Sequence, residues 1–228
     1  MDTTSDALAP VRALIARATG DQKHEDSTDS TVDVLWVLYD RVLRVDPTDP
    51  HAEWRDRFVL SKGHGPASLY AILADKGFFP ADWLDRFMDR DGRLGSHPDR
   101  TLVPGIEAST GSLGHGLPIA VGIALALRAK GAGEPRVFVL VGDAELNEGS
   151  NWEAILLAPY LRLDNLTLVA IDNHSSTIPM APWEARLGSF GWDVAVVDGR
   201  DHAALEVALA RRPTDRPTAV VADIPRRA

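Results

Sequence analysis

Apolar positions along the chain follow two periods. In the stretch 5–19, SDALAPVRALIARAT, Leu8, Val11, Leu14 and Ile15 recur three and four residues apart, which predicts an amphipathic helix. TVDVLWVLYDRVLRV, at 31–45, repeats the pattern until DPTDP breaks it. Five short runs behave differently: RFVL (57–60), VFVLV (137–141), LTLVAI (166–171), DVAVVD (193–198) and TAVVADI (218–224). They are rich in β-branched residues and do not alternate with polar ones, so they suit strands buried on both faces and hence parallel. Helical stretches lie between them: PASLYAILADKG, LPIAVGIALALRAKG, NWEAILLAPYLR and DHAALEVALARR. Strand and helix in alternation predict the α/β class, an open, mainly parallel sheet with helices on both faces. We expect a single domain over 1–228, with a variable helix and loop over 1–30. The long interval between the first two strands is the least scaffold-like part of the chain and a natural place for function.

Composition narrows the classes of function. The 228 residues are 45% hydrophobic and 25% charged, enough to bury one substantial core. With 33 acidic against 24 basic residues, a net charge of −9 and no basic run, no nucleic-acid partner is expected. The absence of cysteine removes disulfides, thiolate metal sites and a cysteine nucleophile together. No apolar run approaches the roughly 18 residues of a membrane span, and the acidic opening MDTTSDALAP carries no targeting signal. A soluble, cytoplasmic protein without a membrane partner is expected.

The densest acid cluster, in VGDAELNEG at 141–149, falls where a strand should end and a helix begin. Asp143 sits just past one predicted strand. Asn173, in AIDNHSS about thirty residues on, sits just past the next, one βαβ unit away. In a parallel sheet both emerge on the carboxyl edge, where ligands of open α/β folds bind. A carboxylate, an amide oxygen and a nearby backbone carbonyl form a hard, all-oxygen, incomplete coordination set. It suits Mg²⁺ or Ca²⁺ completed by phosphate oxygens and water, and hardly suits zinc. Gly142 and Gly149 let the backbone approach a bulky anion, and the helix start that follows favours negative charge. The same residues also fit a plain surface turn, with the glutamates at a helix N-terminus and Asn173 as a cap.

GDAELNEG followed by DNHSS resembles the thiamine diphosphate motif of the transketolase family. DRFVLSKGHGPASLYAILADKGFFP, GSHPD, EASTGSLGHGLPIAVGIALAL and FGWDVAVVDGRDHAAL are similar to further ordered segments of that family, over roughly residues 30 to 225. The resemblance implies the family's thiamine diphosphate-binding fold. It implies that Asp143, the side chain of Asn173 and the carbonyl of Ser175 bind Mg²⁺, with Ca²⁺ or Mn²⁺ as substitutes. Gly142, the backbone at Ala144 and His64 would meet the diphosphate, while Gly111, Ser112 and Leu113 would line the cofactor rings. Glu148 would join a carboxylate network between paired domains. His24, His64 and His97 would form the catalytic set, with His24 and His97 facing substrate and His97 donating a hydrogen bond to it. His51, His174 and His202 match nothing in the family.

Three departures are visible. KHEDST surrounds His24 where the family is glycine-rich. Ala144 replaces a glycine, at a cost of about 1 kcal/mol if that position needs positive φ. DNHSSTIPMAPWEARL is shorter than the family's cofactor loop. The chain also stops before the second thiamine-binding domain, whose glutamate acts on the aminopyrimidine. The resemblance therefore implies the N-terminal subunit of a split transketolase. It would move a two-carbon ketol unit from a sugar or ketose-like donor to an aldehyde only with a C-terminal partner subunit, in a heterotetramer. A component of a 2-oxo acid decarboxylating carboligase and a non-catalytic, regulatory relative are the alternatives.

Overall fold

The computed structural model describes residues 7–18, 25–63 and 65–225. Five strands form one wholly parallel sheet: β1 (Arg57–Leu60), β2 (Val137–Gly142), β3 (Leu166–Asp172), β4 (Asp193–Asp198) and β5 (Thr218–Asp223), in the order β1-β2-β3-β5-β4. Successive side chains of the central strands point to opposite faces, and each face has its own core. Phe138, Leu140, Val169, Ile171, Val220 and Ala222 pack on one side. Val139, Val141, Leu168, Ala170, Ala219 and Val221 pack on the other.

Helices cover both faces. On the first lie α1 (Ala9–Arg17), α2 (Glu25–Val37), α3 (Pro66–Asp75) and α7 (His202–Ala210). On the second lie α4 (Gly116–Ala129), α5 (Gly149–Tyr160) and α6 (Trp183–Gly188). This double cover is the physical reason the strand sequences carry no polar alternation. The edge strand β4 is the exception. It has one neighbour and no fully buried residue, and Val196 is 37% exposed, so the expectation of burial on both faces fails there.

Two elements depart from the sequence reading. The second helix begins at Glu25 rather than 31 and closes in a π-helical turn, Leu38–Val42, so residues 43–45 leave it. Leu43 is extended, and the Arg44 backbone N–H donates to the buried Asp56 carboxylate at 2.9 Å instead of a helical carbonyl. Asp56 also accepts from the Arg136 N–H at 2.8 Å, so one carboxylate pins the entrances of β1 and β2 together. Helix α6 has no counterpart in the sequence reading, because six residues are too few to show a period; Trp183 and Leu187 bury its inner side. Among the described residues no helix is long and apolar enough to cross a membrane.

The sheet fixes what its carboxyl edge presents. β2 and β3 pair from Val137 opposite Leu166 to Gly142 opposite Ile171. The Asp143 N–H then extends the ladder one step further by donating to the Ile171 carbonyl at 2.9 Å. The interval between β1 and β2 holds α3, α4 and, from 87 to 115, a long irregular stretch laid over this edge.

Leu140 is fully buried in β2. Leu140→Ala should therefore lower the free energy of unfolding by about 2–5 kcal/mol. Urea denaturation checks it: the midpoint should fall with the slope unchanged.

Candidate active site

Asp143 caps a short 3₁₀ turn, Ala144–Asn147, and is 2% exposed. Its carboxylate has four donors. Oδ1 accepts from the Ala144 N–H at 2.8 Å and the Ser175 hydroxyl at 2.7 Å. Oδ2 accepts from the N–H groups of Ser175 at 2.7 Å and Ser176 at 3.0 Å. Two consecutive amides reach one oxygen because His174 turns the chain at φ 55°. That turn is held by the His174 N–H donating to Asp172 Oδ1 and by its ring Nε2 against Asp223 Oδ1 at 2.8 Å. The Asp223 carboxylate keeps the exposed His174 imidazole above its ordinary pKa.

Asn173 is buried beside this turn, and its Oδ1 has no hydrogen-bond partner. A buried, unpaired amide oxygen costs about 1–3 kcal/mol, which a ligand cation would recover. Among the described residues no three His, Cys, Asp or Glu side chains converge. The donors at this edge are therefore one carboxylate, one amide oxygen and backbone carbonyls. They fit the oxygen-seeking cation expected from the sequence.

Two charged residues that the sequence reading left unassigned sit beneath Asp143. Glu145, 2% exposed, accepts on Oε1 from the Ser61 hydroxyl at 2.5 Å and the Gly114 N–H at 3.0 Å, and on Oε2 from the Gly142 N–H at 3.3 Å. One side chain thus ties together the segments after β1, before α4 and at the end of β2. Burial pushes its carboxyl above the usual range, against the pull of those donors. Lys62 is buried too. Its ammonium donates to the hydroxyls of Ser30 at 3.0 Å and Thr31 at 2.9 Å, anchoring α2 to the site. Burial lowers it to about 8, with the negative charges of Asp143 and Glu145 opposing the fall. The available signal for Glu145 was its place beside the apolar Leu146 in a tight turn. Nothing local marks Lys62, whose partners lie about thirty residues away.

His97 stands across the same edge, its Nδ1 2.8 Å from the Gly63 carbonyl oxygen. A carbonyl has no proton to give, so Nδ1 donates and the neutral ring carries its lone pair on Nε2. This contact orients the ring from which the sequence expects a hydrogen bond to substrate. Close packing holds the ring: a Cβ on Gly111 would lie 2.9 Å from His97 Cγ. Gly114, at φ +83°, brings its turn so near the β2 loop that a Cβ would meet that of Glu148 at 2.6 Å. Gly149 has open space around it and Gly142 only ordinary contact with Lys62. At this edge Gly63, Gly111, Gly114 and Gly116 leave no room for a Cβ, whereas Gly142 and Gly149 do.

The structure gathers Gly111, Leu113, Gly142, Asp143, Ala144, Asn173 and Ser175 with His97 at the carboxyl edge, and among the expected site residues Ser112, Ala144, Glu148 and Ser175 are exposed there. Among the described residues the non-glycine positions at positive φ are Met88, Arg162 and His174, not Ala144, so replacing glycine there brings no left-handed strain. His24 and His64 lie outside the described residues. His202 is a buried structural histidine, 2.7 Å from Asp33 and stacked on Trp36.

Known proteins resemble this chain in sequence and fold. Residues 6–224 match the family described as "Transketolase, thiamine diphosphate binding domain". "Ferredoxin fas2" of Rhodococcoides fascians is 48% identical over 215 residues, covering 94% of this chain and 71% of that protein. This chain has no cysteine and so supplies no thiolate ligand for an iron–sulfur cluster. "6-deoxy-6-sulfo-D-fructose transketolase subunit SqwG" of a Clostridium species is 38% identical over 207 residues, covering 87% of this chain and 75% of that one. A crystal structure of a mutant transketolase from Pichia stipitis superposes with a TM-score of 0.85 at 29% identity, covering 98% of this chain but 36% of that one. This chain thus spans little more than a third of that solved transketolase. The sheet, the paired strand ends and a family match that runs nearly from end to end agree: the chain belongs to the transketolase family, in its thiamine diphosphate binding domain.

Proposed function

We propose that this chain is the cofactor-binding subunit of a two-component transketolase. In this reading it holds Mg²⁺ and the diphosphate of thiamine diphosphate and transfers a two-carbon ketol unit together with a separate C-terminal subunit. The observation that carries the reading is the buried, unpaired Asn173 Oδ1, just past the strand that pairs with the one leading to Asp143. A protein with no ligand at this edge gains nothing by burying that oxygen unpaired. The name of the Clostridium relative, one subunit of a transketolase, supports a divided enzyme. Ser112 and Glu148 are exposed and suit a surface that a second chain covers. The regulatory alternative has less support, since nothing in it calls for both Asp143 and Asn173.

Asp143, Asn173 and the Ser175 carbonyl would hold the cation, and the Ala144 backbone would meet the diphosphate. When bound, thiamine diphosphate supplies the carbanion that takes up the ketol unit. The residues of this chain bind, orient and move protons around it. Glu145 sets the loops that carry Gly114, Ser61 and Gly142, so the walls of the site are in place beforehand. His97, oriented through Nδ1, would take a proton at Nε2 from a donor hydroxyl as its carbon–carbon bond breaks.

Three outcomes are expected. The purified chain should turn over no ketose and bind thiamine diphosphate weakly in calorimetry with Mg²⁺, whereas adding its partner should give tight binding and ketol transfer; tight binding by the lone chain would overturn the divided-site reading. In the reconstituted complex Asp143→Asn should lose bound cofactor and activity together, because a single amide cannot replace the carboxylate at a divalent cation. A folded variant with normal cofactor content would end the metal assignment. His97→Ala should slow single-turnover transfer about 10²–10⁴-fold while cofactor affinity changes less than about twofold. Unaltered transfer, or cofactor loss in proportion to rate, would remove His97 from that role.

A further inference from the structure

An ionised carboxylate offers about four lone-pair positions. At Asp143 all four have protein donors, and three of those donors are backbone amides: Ala144, Ser175 and Ser176. These three are fixed. The Ala144 amide is the next peptide in the chain, and the amides of Ser175 and Ser176 are aimed by the His174 turn. The fourth donor, the Ser175 hydroxyl on Oδ1, depends on a single side-chain torsion. Ser175 is an exposed residue, so a hydroxyl rotated away from Oδ1 meets water.

We propose that the Ser175 hydroxyl is a displaceable plug in the cation site, which holds the Asp143 Oδ1 lone pair that a divalent cation requires and so sets the affinity of the site. The proposal rests on the cation reading given above. The cation displaces this donor and no other, because releasing the Ser175 or Ser176 amide means unwinding the turn that carries the Ser175 carbonyl, and the Ala144 amide is fixed by the adjoining peptide. The hydroxyl is also dispensable for the turn's shape, since the two amide bonds to Oδ2 hold it. Its removal leaves Oδ1 more basic toward a cation and takes away the competitor. The residue thus has two opposed roles, with its carbonyl expected as a ligand and its side chain competing against the ligand set.

Mn²⁺ alone is the probe, added to the full chain and followed by the relaxation of water protons. The unaltered chain should bind Mn²⁺, and Asp143→Asn should not. Ser175→Ala should bind about three- to tenfold more tightly, the range set by exchanging one net hydrogen bond. Ser175→Thr, which keeps the hydroxyl, should stay within about twofold of the unaltered chain. Equal or weaker binding by Ser175→Ala overturns the proposal, as does equal tightening by Ser175→Thr. If Asp143→Asn binds as the unaltered chain does, the cation reading itself falls, whatever the serine variants do.

Discussion

The parallel pairing of β2 with β3 is the constraint on which the rest of the molecule depends. Its register ends with Gly142 opposite Ile171, and the Asp143 amide adds one more bond to the same ladder. A shift by one residue would turn Phe138 and Leu140 toward the other core and move Asp143 out of reach of the 175–176 turn. Burial on both faces forbids such a shift, because each strand carries large apolar side chains in both directions. The hydrophobic effect thus fixes the register, and the register places a carboxylate and an amide side by side at the sheet's edge.

Around that pair the irregular segments are held by polar contacts as well as by apolar packing of Leu94, Val103, Leu146 and Met180. Glu145 gathers three loops, Lys62 ties α2 to them, and Asp143 itself organises the turn after β3. Buried groups of this kind are costly when unpaired, so they make the loops rigid only while their partners are in place. Asn173 Oδ1 shares its lack of a partner with Asn147 Nδ2 and Asn151 Oδ1, and of the three it is the oxygen just past the end of β3, beside the Asp143 ladder. In the proposed function a cation completes the set and the diphosphate follows it.

Much of this was legible in the chain. The five strands were visible because double burial writes itself as unbroken β-branched runs, and the motif residues 143 and 173 because they end adjacent runs. The exposed edge strand β4 misled, since DVAVVD reads like a buried strand although one side of the ladder is open. Helix α6 was too short for a period, and the end of α2 was decided by Asp56, a partner more than ten residues away. The roles of Glu145 and Lys62 arise from contacts 31 or 84 positions apart in sequence, which no local pattern encodes. The proton on His97 Nδ1 follows from the Gly63 carbonyl, 34 positions away, which no local pattern encodes.

The central claim is that the carboxyl edge of β2 and β3 is a cation and diphosphate site. Anomalous diffraction from crystals of the complex between this chain and its partner, grown with Mn²⁺ and thiamine diphosphate, tests it most directly. The account predicts one strong Mn²⁺ peak about 2.0–2.3 Å from an Asp143 carboxylate oxygen and Asn173 Oδ1, with diphosphate oxygens on its far side. A cofactor bound with its metal elsewhere, or with the Asn173 side chain turned away from it, would contradict the account.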